Sequence, residues 1–226
     1  MPYPRPHDDG TPRVKIFVLA FVMAGLAGHV NSAMLLAYGM PVSQMTGTAS
    51  HMSEGVAVAD ATVLLKAGLI LLAFVAGATL SGLLIGRHQF PESPRYAWAM
   101  AIETGLLLAA GGLASLGLAT VSLATAAVAC GLQNALVASY RGLLIRTTHV
   151  TGIVTDIGAH LAKSIRHRGW SWHGSLLLTL LVGYIAGGIG GVAAMPLGTA
   201  ASLALPALGT ALVAAMALFY QRRRHA

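Results

Sequence analysis

Six stretches of mostly apolar residues, each close to twenty long, constrain this chain more than any other feature: 16–39, 63–86, 97–118, 121–138, 174–195 and 199–220. A helix rises about 1.5 Å per residue and the hydrocarbon layer is roughly 30 Å thick, so each run is long enough to cross a bilayer. Within lipid every backbone N–H and C=O must find a partner inside the protein, which leaves helices and closed barrels. The runs are continuously apolar rather than alternating, so they read as helices. Composition agrees: 56% of the 226 residues are hydrophobic and 9% are charged, against about a quarter charged in an average soluble domain. The joint near Ala119 and Thr120 carries no charge, and a tight turn is expected there. The expected fold is all-α, a polytopic membrane protein of six transmembrane helices in one domain, 16–220. A disordered, proline-rich cytoplasmic tail, 1–15, precedes it and a short basic tail, 221–226, follows. The first run exceeds a signal-peptide core, and no good cleavage site follows it.

Basic charge then orients the spans. Arg5, Arg13 and Lys15 precede the first, and Arg87 and Arg95 lie between the second and third. Arg141, Arg146, Lys163, Arg166 and Arg168 lie between the fourth and fifth, and Arg222, Arg223 and Arg224 follow the sixth. With both termini inside, thirteen of the fourteen Lys and Arg residues are cytoplasmic, and Lys66 alone falls near the outer side. This positive-inside pattern predicts a multi-pass membrane protein with both termini cytoplasmic, whose basic segments meet anionic lipid. The net charge of +7 is thereby assigned to topology rather than to nucleic acid. Arg166 to His173, with Trp170 and Trp172, reads as a cytoplasmic interface segment. Glycine pairs such as Gly183 with Gly187 and Gly187 with Gly191 suit close helix packing, within one subunit, in a homodimer or in a moving helix pair.

The two halves, 16–118 and 121–220, share a pattern. In the first, Gly28, His29, Val30 and Asn31 are followed fifteen residues after Asn31 by Thr46 and Gly47. In the second, Gly131, Leu132, Gln133 and Asn134 are followed seventeen residues after Asn134 by Thr151 and Gly152. Each half holds three spans, an odd number, so the second is inverted relative to the first, as in many secondary transporters.

Polar groups at membrane depth are costly and serve either a pathway or an interhelical bond. His29, Asn31, Gln133 and Asn134 are candidates for both, with Asn31 and Asn134 able to clamp the halves together. His29 can also titrate near neutral pH. Glu103 lies inside the third span; it either pairs with Arg141 or Arg146 or acts as a proton-coupling carboxylate. Each Thr-Gly step, Thr46-Gly47 and Thr151-Gly152, suits the start of a short helix, with the threonine capping free N–H groups. Such a helix start attracts a polar or anionic group. Asp156, with Thr155 and His160, follows the second step, and His51 follows the first; Asp156 and His160 are spaced to share a helix face and a hydrogen bond. No third metal ligand accompanies them, and no metal or other cofactor is expected. The single cysteine, Cys130, excludes an intrachain disulfide and is expected to be buried. Hydrolase and protease motifs are missing, so no enzyme is expected.

Ala27-Gly28-His29-Val30-Asn31-Ser32 and Val42-Ser43-Gln44-Met45-Thr46-Gly47-Thr48 resemble the signature of the bacterial YoaK-like family of transmembrane proteins. Gly131-Leu132-Gln133-Asn134-Ala135 and Arg146-Thr147-Thr148-His149-Val150-Thr151-Gly152, continuing to Gly158, resemble its second signature. The likeness covers nearly the whole chain. Asn31 stands where that family usually has aspartate, Gln44 where it has histidine and Thr48 where it has asparagine. The resemblance implies a membrane protein of unknown function, sometimes described as transporter-like. Together these features lead to the expectation of a small-solute or ion permease with His29, Asn31, Thr46, Gly47, Glu103, Gln133, Asn134, Thr151, Gly152 and Asp156 on the substrate path. The competing expectation is a membrane scaffold in which the same residues only knit helices together.

Overall fold

The computed structural model describes residues 13–86, 94–138, 147–167 and 169–225. Among these residues eight α-helices follow one another: α1 Arg13–Tyr38, α2 Met45–Ala57, α3 Ala61–Ile85, α4 Pro94–Ser115, α5 Ala119–Ala138, α6 Val150–His167, α7 Trp172–Ala194 and α8 Thr199–His225. Six of them, α1, α3, α4, α5, α7 and α8, are long and apolar enough to cross a bilayer. This is the six-span all-α bundle that hydropathy requires. The two shorter helices, α2 and α6, connect α1 to α3 and α5 to α7.

Local chemistry sets the ends. Asp60 accepts the N–H groups of Thr62 and Val63 at 2.9 and 3.1 Å and so starts α3. Ser171 does the same for α7 through Gly174 N at 3.1 Å. At Gly39, Gly86, Gly117 and Gly198 the backbone takes positive φ, which a glycine adopts without steric cost. The turn between α4 and α5 falls at Leu116 to Leu118, just before the joint the sequence suggests. α1 begins at Arg13, inside the stretch read as a disordered tail, and α8 carries the basic C-terminal residues as helix to His225. Residues 1–12 and the basic positions Arg87, Arg141, Arg146 and Arg168 lie outside the described residues.

The packing of the helices is nearly twofold. α1 packs chiefly on α7 and α3 on α5; α4 packs on α8; α4 meets α5 as α8 meets α1; α2 lies on α3 as α6 lies on α7. Exchanging α1 with α5, α2 with α6, α3 with α7 and α4 with α8 maps each of these contacts onto another or onto itself. Glycines set the closest approaches. A Cβ on Gly28 would strike the carbonyl of Tyr184, and one on Gly187 the carbonyl of Gly25. In the other half a Cβ on Gly131 would strike the carbonyl of Phe74, and one on Gly77 that of Val128. Gly28 and Gly131 occupy the same place in the repeated Gly-x-x-Asn pattern. Phe74-Val75-Ala76-Gly77 and Tyr184-Ile185-Ala186-Gly187 form a second matched pair, in the helices that receive them. The glycine pairs therefore serve packing within the subunit, where backbones meet without intervening side chains. Outward-facing leucines such as Leu83, 77% exposed, and Leu72 and Leu212 lie on the surface that lipid would cover.

Candidate functional site

Asn31 and Asn134 do the same job in the two halves. The Asn31 side-chain carbonyl accepts the backbone N–H groups of Val42 and Ser43 at 3.1 and 3.0 Å. It thereby fixes the extended segment before α2, which Thr48 also holds by donating to the Pro41 carbonyl at 3.2 Å. Asn134 accepts the Thr148 hydroxyl at 3.0 Å, at the corresponding place before α6. Each asparagine thus ties a span to its own half. Gln133 does reach the other half, donating from Nε2 to the Met23 carbonyl of α1 at 2.9 Å. The clamp role open to the two asparagines falls to other residues, Gln133 among them.

His29 has a partner created by a proline. Pro206 lies inside α8 and has no N–H to give to the carbonyl of Ser202, one turn earlier. His29 Nε2 fills that place, 2.9 Å from the Ser202 carbonyl oxygen. A carbonyl can only accept, so Nε2 carries the hydrogen. Ser202 in turn donates its hydroxyl to the Gly191 carbonyl at 3.3 Å. The imidazole of α1 thus replaces a helix bond that the proline removes from α8.

Glu103 is different. It is 2% exposed, on the face of α4 that also carries Met100, Leu107 and Ala110, and its Oε2 has no hydrogen-bond partner among the described residues. The partners the sequence offers, Arg141 and Arg146, lie outside those residues. Next to it, Thr104 Oγ1 meets Thr210 Oγ1 at 2.8 Å where α4 packs on α8. Cys130 of α5 is buried as well, and so is Tyr184 of α7. The Tyr184 hydroxyl accepts from Gln44 Nε2 at 3.0 Å and lies 3.4 Å from Ser43 Oγ. Tyr184 thus reaches across from the second half to the segment that Asn31 fixes. Tyr184 is the residue that sequence reading misses, because an aromatic in an apolar run looks like core. Matching it to Phe74 isolates its hydroxyl as the added group.

The Thr-Gly steps lie outside these buried contacts. α2 starts at Met45 with Gln44 as its N-cap and no side-chain cap bond, so Thr46 sits in the first turn rather than capping it. Thr46 and Thr151 are exposed, as is Asp156, and Gly47 and Gly152 are half-buried beside them. Instead of a bond to Asp156, His160 Nδ1 makes one with Ser171 Oγ at 3.1 Å. Because the intervening spans alternate in direction, α2 and α6 lie at opposite rims. Among the described residues no group of three His, Cys, Asp or Glu side chains could hold a metal. An apolar groove lined by Ser32, Tyr184, Ile185, Gly188, Ile189 and Val192 opens on the outer face of α7.

Six membrane-spanning helices paired across two matching halves, with a carboxyl group buried in the bundle, define a polytopic helical membrane protein. The chain belongs to the family described as protein of unknown function (DUF1275), whose model matches residues 19–216. This is the family underlying the YoaK-like resemblance of the two motif pairs. No curated protein and no solved structure matches the chain.

Proposed function

We propose that this protein is a non-enzymatic transporter of a small solute or ion in the bacterial inner membrane, with both termini cytoplasmic. The observation that carries the reading is Glu103, a carboxyl group buried between apolar clusters whose Oε2 has no partner among the described residues. An ionisable group at membrane depth without a structural partner is a binding or relay group by default. Its carboxyl suits a proton or a cation. The matched packing of two halves supplies the bistable frame that alternating access needs. In this reading Asn31 and Asn134 hold the segments at the two rims, and Tyr184 ties the first of them to α7. The thirteen-to-one division of basic residues supports the orientation.

Flux through sealed proteoliposomes tests the proposal. Wild type, Glu103→Gln and empty vesicles are compared for uptake of a broad panel of ions and metabolites under an imposed pH gradient. Wild-type flux above empty vesicles, lowered at least about tenfold in Glu103→Gln, is expected for a relay group. Equal flux in all three overturns it.

A scaffold remains the second reading, favoured by specific bonds. His29, Asn31, Gln133 and Asn134 each have a hydrogen-bond partner that stabilises the fold, and Thr46, Thr151 and Asp156 face outward at the rims. A scaffold would tolerate Glu103→Gln with raised thermal stability and no flux in any sample.

A further inference from the structure

Under the pseudo-twofold exchange α2 and α6 are counterparts, yet their chemistry is opposite. Between α1 and α3, residues 39–60 contain no Lys or Arg and two carboxylates, Glu54 and Asp60. Between α5 and α7, residues 139–171 contain five Lys or Arg and one carboxylate, Asp156. α6 is also the more strongly two-faced. Val150, Ile153, Val154, Ile157, Leu161 and Ile165 fall within an arc of about 120° at 3.6 residues per turn.

That arc is only half used by the protein. Ile153, with Val150 and Ile157, packs into the cluster of Ala20, Ala24, Leu176 and Leu180. The other edge faces away: Val154 and Leu161 are each 51% exposed and Ile165 is 75% exposed. Lys163 and Arg166 are exposed on the opposite side of the helix. Trp170 and Trp172 follow directly, and the His160–Ser171 bond holds them against the end of α6.

We infer that α6 lies in the plane of the membrane surface and binds anionic phospholipid, its Val154, Leu161 and Ile165 edge among the acyl chains and Lys163 and Arg166 on the phosphate groups. An amphipathic helix with an apolar edge and a basic face takes this position, and indole rings at its end settle at headgroup depth. The charge contrast with α2 identifies the occupant. An apolar edge alone would suit any lipid or a second protein, whereas a basic face on one rim and an acidic one on the other fits a leaflet rich in negative headgroups. The inference rests on the membrane-spanning fold and holds whether or not the protein transports.

Tryptophan quenching tests it. The full chain carries three tryptophans; Trp98→Phe leaves Trp170 and Trp172, both beside α6. The protein is reconstituted in phosphatidylcholine containing a minor fraction of phosphatidylglycerol, with bromine on the acyl chains of one lipid or the other. Brominated phosphatidylglycerol is expected to quench as though enriched at least about fivefold around α6, the effect of one basic residue at a charged surface, and less at high salt. Lys163→Gln with Arg166→Gln removes the enrichment, while Lys66→Gln leaves it. Circular dichroism and elution volume establish that the variants are folded. Equal quenching by the two lipids in the parent protein, or a preference that survives the double substitution, overturns the inference.

Discussion

Pro206 and His29 give the most specific energetic statement at the scale of single residues. The proline deprives the Ser202 carbonyl of its helix partner, and His29 supplies the hydrogen from another span. Removing the imidazole should therefore matter only while the proline is present. His29→Phe is expected to lower stability by about 1 kcal/mol, as for a typical interhelical bond in a membrane protein. In a Pro206→Ala background, where the backbone N–H of the alanine serves the carbonyl, the same change should cost much less. Thermal unfolding of the four proteins of this cycle in one detergent gives the coupling; equal costs in both backgrounds would remove the explanation. His29 was legible as an oddity in an apolar run, but its partner was not, because Pro206 lies in the other half of the chain. Glu103 was legible for the same reason and needed no partner to be found. Tyr184 was hidden because its ring suits any apolar helix.

Helix pairing is governed by where backbones can touch. Gly28 and Gly187 seat α1 on α7, and Gly131 and Gly77 seat α3 on α5, in matching geometry. Alanine at Gly28 or at Gly131 places a methyl group against a backbone carbonyl, so the helices must separate. Each substitution should cost about 1–3 kcal/mol, the range for overpacking, and the two should be alike because the contacts are related by the exchange of halves. Gly68→Ala and Gly82→Ala in α3, where a Cβ meets nothing within 4 Å, serve as controls and should be neutral or slightly stabilising. Melting temperatures of the four variants decide this, and a similar cost at all four sites would contradict it. Hydropathy and length disclosed these helices one by one. They could not disclose the pairs, since small-residue spacing indicates a close approach without naming the partner. The starts of α2 and α6 were legible within a residue or two, but their chemistry was not: the Thr-Gly steps lie in exposed first turns, and the preceding Val42-Ser43 and Thr147-Thr148 segments carry the buried contacts.

The whole molecule is a bundle in which two halves of opposite direction exchange places. Its apolar exterior suits lipid, and among the described residues two buried side-chain oxygens lack a partner, Glu103 Oε2 and Thr147 Oγ1. Everything proposed of its activity depends on α2 and α6 standing on opposite sides of the membrane. Cysteine accessibility measures that directly. Cys130, the single native cysteine, is buried and can be replaced by alanine to give a silent background. Thr46→Cys and Thr151→Cys, both at exposed positions, are then treated in intact cells with a membrane-impermeant maleimide, before and after permeabilisation. The inverted arrangement predicts labelling of the Thr46 position from outside and of the Thr151 position only after permeabilisation. Labelling of both positions from the same side would contradict it.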